Sequence, residues 1–166
     1  PPAGVRILMD TMTPEEKVGQ LFLITFVGSD TSETSQIYDL IHRYHIGGVV
    51  MLSSNDNFAP APETISQTNE LIRSLQKQNW DLSVNPPPDP LTGKIQKSTY
   101  VPLLVGIAQE GNGPPTDEIF SGLTPLPSEM AIGATWNTDY AEEVGEVRGR
   151  ELSALGFNLF LGPSLD

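Results

Sequence analysis

Cysteine is absent from this chain, so neither a disulfide nor a thiolate metal site contributes to its fold or chemistry. Basic residues are scarce: 9 Lys plus Arg stand against 21 Asp plus Glu, a net charge of −12 with no basic stripe. Such a surface repels nucleic acid and anionic lipid, and neither is expected as a partner. Long apolar runs are missing too, since none approaches the roughly 18 residues that a membrane helix needs. No signal peptide is visible, although a chain that opens on Pro1 rather than Met reads as trimmed. The compartment stays open on these grounds.

What is present is enough for one ordinary domain with a core: 166 residues, with 15 Pro and 15 Gly scattered in loops between periodic segments. Leu103 to Ala108 is an apolar run opened by Pro102 and closed by Gln109-Glu-Gly-Asn-Gly-Pro-Pro115. Its length and boundaries predict a strand buried on both faces, followed by a loop. Comparable strands are expected at 21–26, 49–52 and 157–161. Between them lie helical patterns. Residues 5–12 read as an amphipathic turn or two. Thr13-Pro14-Glu15-Glu16 carries a capping-box start. Ile37, Leu40, Ile41 and Tyr44 share one helical face, ended by Gly47-Gly48. A further helix is expected over about 63–78 with Ile65, Ile72 and Leu75 inward. Another runs from the Asn137 cap to Gly156, with Tyr140, Val144, Val147 and Leu155 inward. The order β-α-β-α-β-α-β predicts parallel strands and an α/β fold, about half of an eight-stranded barrel of typically ~250 residues. An open, doubly wound sheet is the competing arrangement. The whole of 1–166 reads as a single domain, with a Pro-rich inserted loop at 79–101.

Ligands of parallel α/β folds bind at the carboxyl ends of the strands, so the loop after Ala108 is the place to look. Gly111-Asn-Gly113 lacks the third glycine of a dinucleotide loop, because Thr116 stands there, and Pro114-Pro115 removes two amide donors. No nucleotide or other cofactor is expected. His42 and His45 stand three apart near a helix end with no carboxylate spaced to join them, so no metal is expected either. Serine nucleophile chemistry lacks its Gly-x-Ser-x-Gly elbow. Glu110 and Asp166 remain, each just past a strand end. Two carboxylates on one face of a sheet suit glycoside hydrolysis. Alternatively, both cap the backbone of their own loops.

Several stretches together resemble one family. Met12-Thr-Pro-Glu-Glu-Lys-Val-Gly-Gln-Leu-Phe22 resembles the opening "MTLEEKIGQLF" of glycoside hydrolase family 3 N-terminal domains. His45-Ile-Gly-Gly-Val-Val-Met-Leu52 resembles its second strand, and Gly106-Ile-Ala-Gln-Glu-Gly111 its "VDQEGG" strand end. Leu126 to Ala134 resembles "LPSAMALGAT", and Arg150 to Asp166 resembles "ELRALGINLNFAPVLDV". The resemblance implies a (β/α)₈ barrel that removes terminal β-linked glucose or N-acetylglucosamine with retention. It implies substrate contacts at Gln109, Glu110 and Asp166, and a catalytic pair beyond residue 166, so that this chain alone is expected to be inactive. One departure matters: Ala108 stands where the family carries a sugar-binding Asp, and Thr116 or nothing where it carries Arg. A non-catalytic sugar-binding or assembly module is the alternative. A half barrel also leaves two sheet edges and an apolar face unpaired, so association with a second copy or with the missing half is expected.

Overall fold

The computed structural model describes residues 2–86, 88, 93, 95 and 98–163. The first helix, α1 (Ala3–Thr11), buries no residue. It leads into α2 (Pro14–Gly19), whose start is the expected capping box. The Thr13 hydroxyl accepts from the Glu16 amide at 3.1 Å, and the Glu16 carboxylate accepts from the Thr13 amide at 2.8 Å. Two otherwise orphaned donors are satisfied reciprocally, which is why so short a helix holds.

Four strands follow: β1 (Leu23–Ile24), β2 (Gly48–Val50), β3 (Leu104–Ile107) and β4 (Leu159–Phe160). All pair in parallel, in the order β1-β2-β3-β4. A doubly wound sheet reverses its strand order at a switch point. This order has no reversal, which fits the barrel-like reading and removes its competitor.

The crossovers are α3 (Gln36–Tyr44), α4 (Thr64–Val84) and the pair α5 (Glu129–Ala134) and α6 (Thr138–Leu155). Ile37 and Ile41 of α3 are buried as expected, but Tyr44 faces out with the Arg43 guanidinium 5.6 Å from its ring centre. The helix also stops earlier than Gly47-Gly48. His45 takes the left-handed cap at φ 52°, a conformation uncommon outside glycine. The two glycines serve close approach instead: a Cβ on Gly47 would stand 2.3 Å from the Gln20 carbonyl oxygen. Helix α4 runs six residues past the expected Gln78, adding Leu82 to its buried face. In α6 the Asn137 cap and the Gly156 stop are as expected, the latter at φ 108°. Tyr140, however, is exposed and Leu152 is buried. The first turns of α6 border an uncovered groove, so an inward-facing Tyr140 would have nothing to pack on.

The core lies between the helices and one face of the sheet, around Val49, Met51, Leu75, Val105 and Ile107. The opposite face carries Leu23, Gly48, Leu104 and Gly106 in register. Leu104 is 43 % exposed, so β3 is covered on one side and half open on the other, where burial on both was expected. Four strands cannot curl far enough to enclose that concave side.

Candidate active-site pole of the sheet

Side-chain amides pin the strand ends. At the carboxyl pole, buried Asn57 accepts from the Leu52 amide at 2.9 Å and donates to the Phe26 and Gly28 carbonyls at 3.1 and 2.7 Å. This couples the loop after β1 to the loop after β2. At the amino pole, Gln76 exchanges two bonds with the Leu103 backbone, and Asn158 accepts from the Val105 amide at 2.7 Å. A buried backbone group without a partner would cost about 1–3 kcal/mol, so these amides do for strand ends what a longer ladder would have done.

The loop after β3 is built the same way. Gln109 is buried, and its amide side chain is occupied by that loop. It donates to the Ile119 carbonyl at 3.0 Å and accepts from the Glu118 and Ile119 amides at 3.1 and 2.9 Å. Asp117 is buried as well. One of its carboxylate oxygens accepts from the Glu110 and Gly111 amides at 2.6 and 2.8 Å, the other from the Gly113 amide at 2.8 Å. Glu118 accepts from the Ser53 amide, tying this loop to the one after β2. Arg148 of α6 donates to the Glu110 carbonyl at 2.7 Å. Gly111 and Gly113 take φ of 82° and 76°, which lets their amides turn toward Asp117.

Glu110 itself is 7 % exposed. Its carboxylate accepts from the Asn112 side chain at 3.4 Å, and a Cβ on Gly162 would stand 3.2 Å from its other oxygen. The carboxyl ends of β3 and β4 therefore meet at Glu110, as neighbouring parallel strands require. Asp166, named with it from the sequence, lies outside the described residues. Ala108 is half-buried at the root of the loop. Thr116 bonds the Gly113 carbonyl through its amide and its hydroxyl, both at 3.0 Å.

A cavity of about 280 Å³ opens beside this loop, lined among others by Gly111, Asp117, Leu126, Arg148 and Glu151. Arg148 also borders the larger apolar groove of about 800 Å³ between α5, α6 and β4. Chemically, the pole offers carboxylates and amides as fixed hydrogen-bond acceptors and donors. Asp117 and Glu118 spend theirs on backbone.

The two histidines lie away from this pole. His42 stacks on Tyr38 at 3.8 Å and its Nε2 pairs with Gln78 Oε1 at 3.2 Å. Burial pushes the imidazoles of His42 and His45 below their ordinary 6.5. A histidine held neutral in the fold takes up a proton more readily when unfolded, so its contribution is complete above pH 6.5 and shrinks as the pH falls through that value. The unfolding midpoint is expected to drop between about pH 7.5 and 5.5, and to drop less in His42→Gln; equal slopes in urea titrations would refute this.

Asp117, Glu118, Asn57 and Arg148 were not picked out from the sequence. For Asp117 a signal existed, an acidic residue closing a Gly-rich turn whose amides need an acceptor. Arg148 had none, because nothing in a helical pattern says which cation reaches over a strand end.

Comparison with known proteins places this geometry. The family model for the glycosyl hydrolase family 3 N terminal domain matches residues 13–166. A β-N-acetylglucosaminidase/β-glucosidase of Cellulomonas fimi is 30 % identical over 165 residues, 99 % of this chain and 23 % of that protein. β-Hexosaminidase A of Pseudoalteromonas piscicida is 29 % identical over 139 residues, 82 % of this chain and 20 % of that protein. Among solved structures, the glycoside hydrolase family 3 β-N-acetylglucosaminidase from Paenibacillus sp. str. FPU-7 superposes with a TM-score of 0.72 at 32 % identity, covering 93 % of this chain and 24 % of that one. The chain thus spans about a quarter or less of the length of these relatives. With its parallel α/β sheet and its sequence from Thr13 onward both matched, the chain belongs to glycosyl hydrolase family 3, within that family's N-terminal domain.

Proposed function

We propose that the chain is the N-terminal part of an enzyme that hydrolyses terminal β-linked glucose or N-acetylglucosamine with retention, its catalytic pair lying outside residues 1–166. The observation that carries this reading is the match along 99 % of the chain to a protein described by both of those activities. The site fits: Glu110 stands where neighbouring strand ends converge, and a sugar needs fixed acceptors for its hydroxyls. Gln109 supports Glu110 through the loop backbone, and Asp166 would join them from the segment after β4. Glu110 and Asp166 orient the sugar in this scheme, and hydrolysis needs the nucleophile and acid/base that the remaining strands supply.

Leu104 and the groove beside β4 give the same reading a structural reason. Apolar surface and an unpaired strand edge are left open at this side of the sheet. The missing half of the barrel covers them in the parent protein, and a second copy would cover them in the isolated chain.

The test is an assay of a parent extended past residue 166 on nitrophenyl β-glucoside and nitrophenyl N-acetyl-β-glucosaminide. Turnover of either by the parent, none by residues 1–166 alone, and a β-configured first product seen by NMR are expected. A folded parent that turns over neither sugar overturns the enzymatic reading. Ala108, which offers no hydrogen-bond acceptor, favours a second reading, a module that binds sugar without cleaving it. Calorimetric binding of N-acetylglucosamine by an inactive parent would establish that reading.

A further inference from the structure

We infer that Asp117 and Arg148 are positioning residues that grip the Glu110 peptide from both sides and thereby set where its carboxylate faces. This rests on the reading of Glu110 as a sugar-binding residue. The grip itself is visible in the loop. The Glu110 N–H donates to Asp117 at 2.6 Å, and the Glu110 carbonyl accepts from Arg148 at 2.7 Å. A side chain leaves the backbone at a Cα whose two flanking peptides fix its direction, so holding both peptide groups fixes the first bond of Glu110.

Each half of the grip is anchored elsewhere. Asp117 also takes the amides of Gly111 and Gly113, so three N–H groups converge on one buried carboxylate. Convergent backbone amides of this kind form an anion site. Here the chain supplies the anion itself, from four residues past the last of those donors. Charged hydrogen bonds of 2.6–2.8 Å are the strong kind. Arg148 is held between α6 and β4, its guanidinium 5.7 Å from the Phe160 ring centre. It also closes over Gly111, where an added Cβ would stand 3.2 Å from its nitrogen. The grip therefore joins three parts of the fold, the β3 loop, α6 and β4, at the peptide that carries Glu110. Among the described residues nothing comparable holds Asn112, which is exposed.

Removing the Asp117 carboxylate leaves three donors with no acceptor, and a small free carboxylate fits the space vacated. Rescue by formate separates a grip of this design from a merely structural aspartate, whose loss formate would not repair. The test uses isotope-labelled full chain in four forms: D117A, D117N, R148M and R148K. In D117A the amide protons of Glu110, Gly111 and Gly113 are expected to lose their downfield displacement together and to regain it, saturably, on titration with formate. The proximity of Glu110 to Gly162, read as a nuclear Overhauser effect between the Glu110 γ-protons and the Gly162 α-protons, should weaken in D117A and R148M. It should persist in R148K, which keeps a donor. D117N retains an acceptor oxygen, so it keeps the test readable should D117A fail to fold, and it should weaken the Gly113 amide shift alone. Unmoved amides in D117A, no response to formate, or a Glu110–Gly162 contact that survives both D117A and R148M would each overturn the proposal.

A parallel titration with N-acetylglucosamine keeps the two readings apart. Sugar affinity that falls at least tenfold in D117A and returns with formate supports both. A formate response without any sugar binding by the unaltered parent, extended past residue 166, leaves the grip standing and removes the sugar-binding role of Glu110.

Discussion

Gly48→Ala is expected to destabilise the chain by about 3–4 kcal/mol, because the added methyl group overpacks the middle of the sheet. The Cβ would stand 2.3 Å from the Leu104 carbonyl oxygen and 2.7 Å from both Leu104 Cβ and Leu23 Cδ2. A side-chain tip can swing away, but the nearest of these atoms is backbone in the middle of the ladder. Gly48 pairs with Leu104 on one side and Leu23 on the other, so moving either strand breaks the register of both. Gly149→Ala is the matching control. It lies within α6, nothing stands within 4 Å of its added Cβ, and the exchange favours the helix by up to about 1 kcal/mol. Thermal or urea unfolding of the two variants should therefore shift in opposite directions. A Gly48→Ala variant as stable as the parent chain would mean that β2 and β3 are not packed as described.

Glu16→Ala is expected to cost about 2–4 kcal/mol, more than a helix cap ordinarily contributes, because this carboxylate serves two structures at once. It completes the cap of α2, and it also accepts from the Ser98 hydroxyl and the Thr99 amide, each at 2.8 Å. Those residues end the Pro-rich segment just before β3, so Glu16 clips the return of that excursion to the first turns of the chain. The residue is only 3 % exposed, and its loss leaves the half-buried Thr13 and Thr99 amides without this acceptor. Burial alone would raise its carboxyl. The Thr99 and Thr13 amides, the Ser98 hydroxyl and the nearby His45 outweigh burial and hold it below the usual 4.5. A carboxyl depressed in the fold adds stability above its unfolded value, and loses it as the pH falls through the lower folded value. Glu16→Gln should thus flatten the acid limb of the stability profile below pH 4.5 while lowering the plateau above it. Identical profiles would show that the carboxylate charge is idle.

Local chemistry was the legible part of the sequence. Thr13 and Glu16, Asn137 and Gly156 mark their helix ends with residues whose groups act within a few positions, and each does so in the structure. The four strands were found in place and in order for the same reason, since an apolar run between turn residues is a local signal. Tyr44 and Tyr140 show where that ends. A helical stripe says which residues share a face, but which of them meets a neighbour depends on the neighbour. Helix α5 escaped notice because it is only six residues long and buries none of them, so it has no apolar period to find. At the carboxyl pole, Glu110 could be named because it follows a strand. Asp117 left a local trace as the acid that closes a Gly-rich turn, whereas Arg148 left none, since the carbonyl it holds lies 38 residues away.

The amides that pin both ends of the sheet carry a wider consequence. Among the described residues only two ion pairs fall within 4.0 Å, Lys77 with Asp81 and Arg150 with Glu146, and both lie on the outer surface of helices. Glu16, Asp117, Glu118, Arg148 and Glu151 apart, the side-chain cross-links between distant parts of the chain are neutral among the described residues. Gln20, Asn57, Gln76, Asn79 and Asn158 hold the rims together with groups that neither salt nor protons can loosen. An exterior as acidic as this one is therefore free to drift in composition from one descendant to the next. Lysine can replace glutamate, or the reverse, without disturbing the stitching beneath.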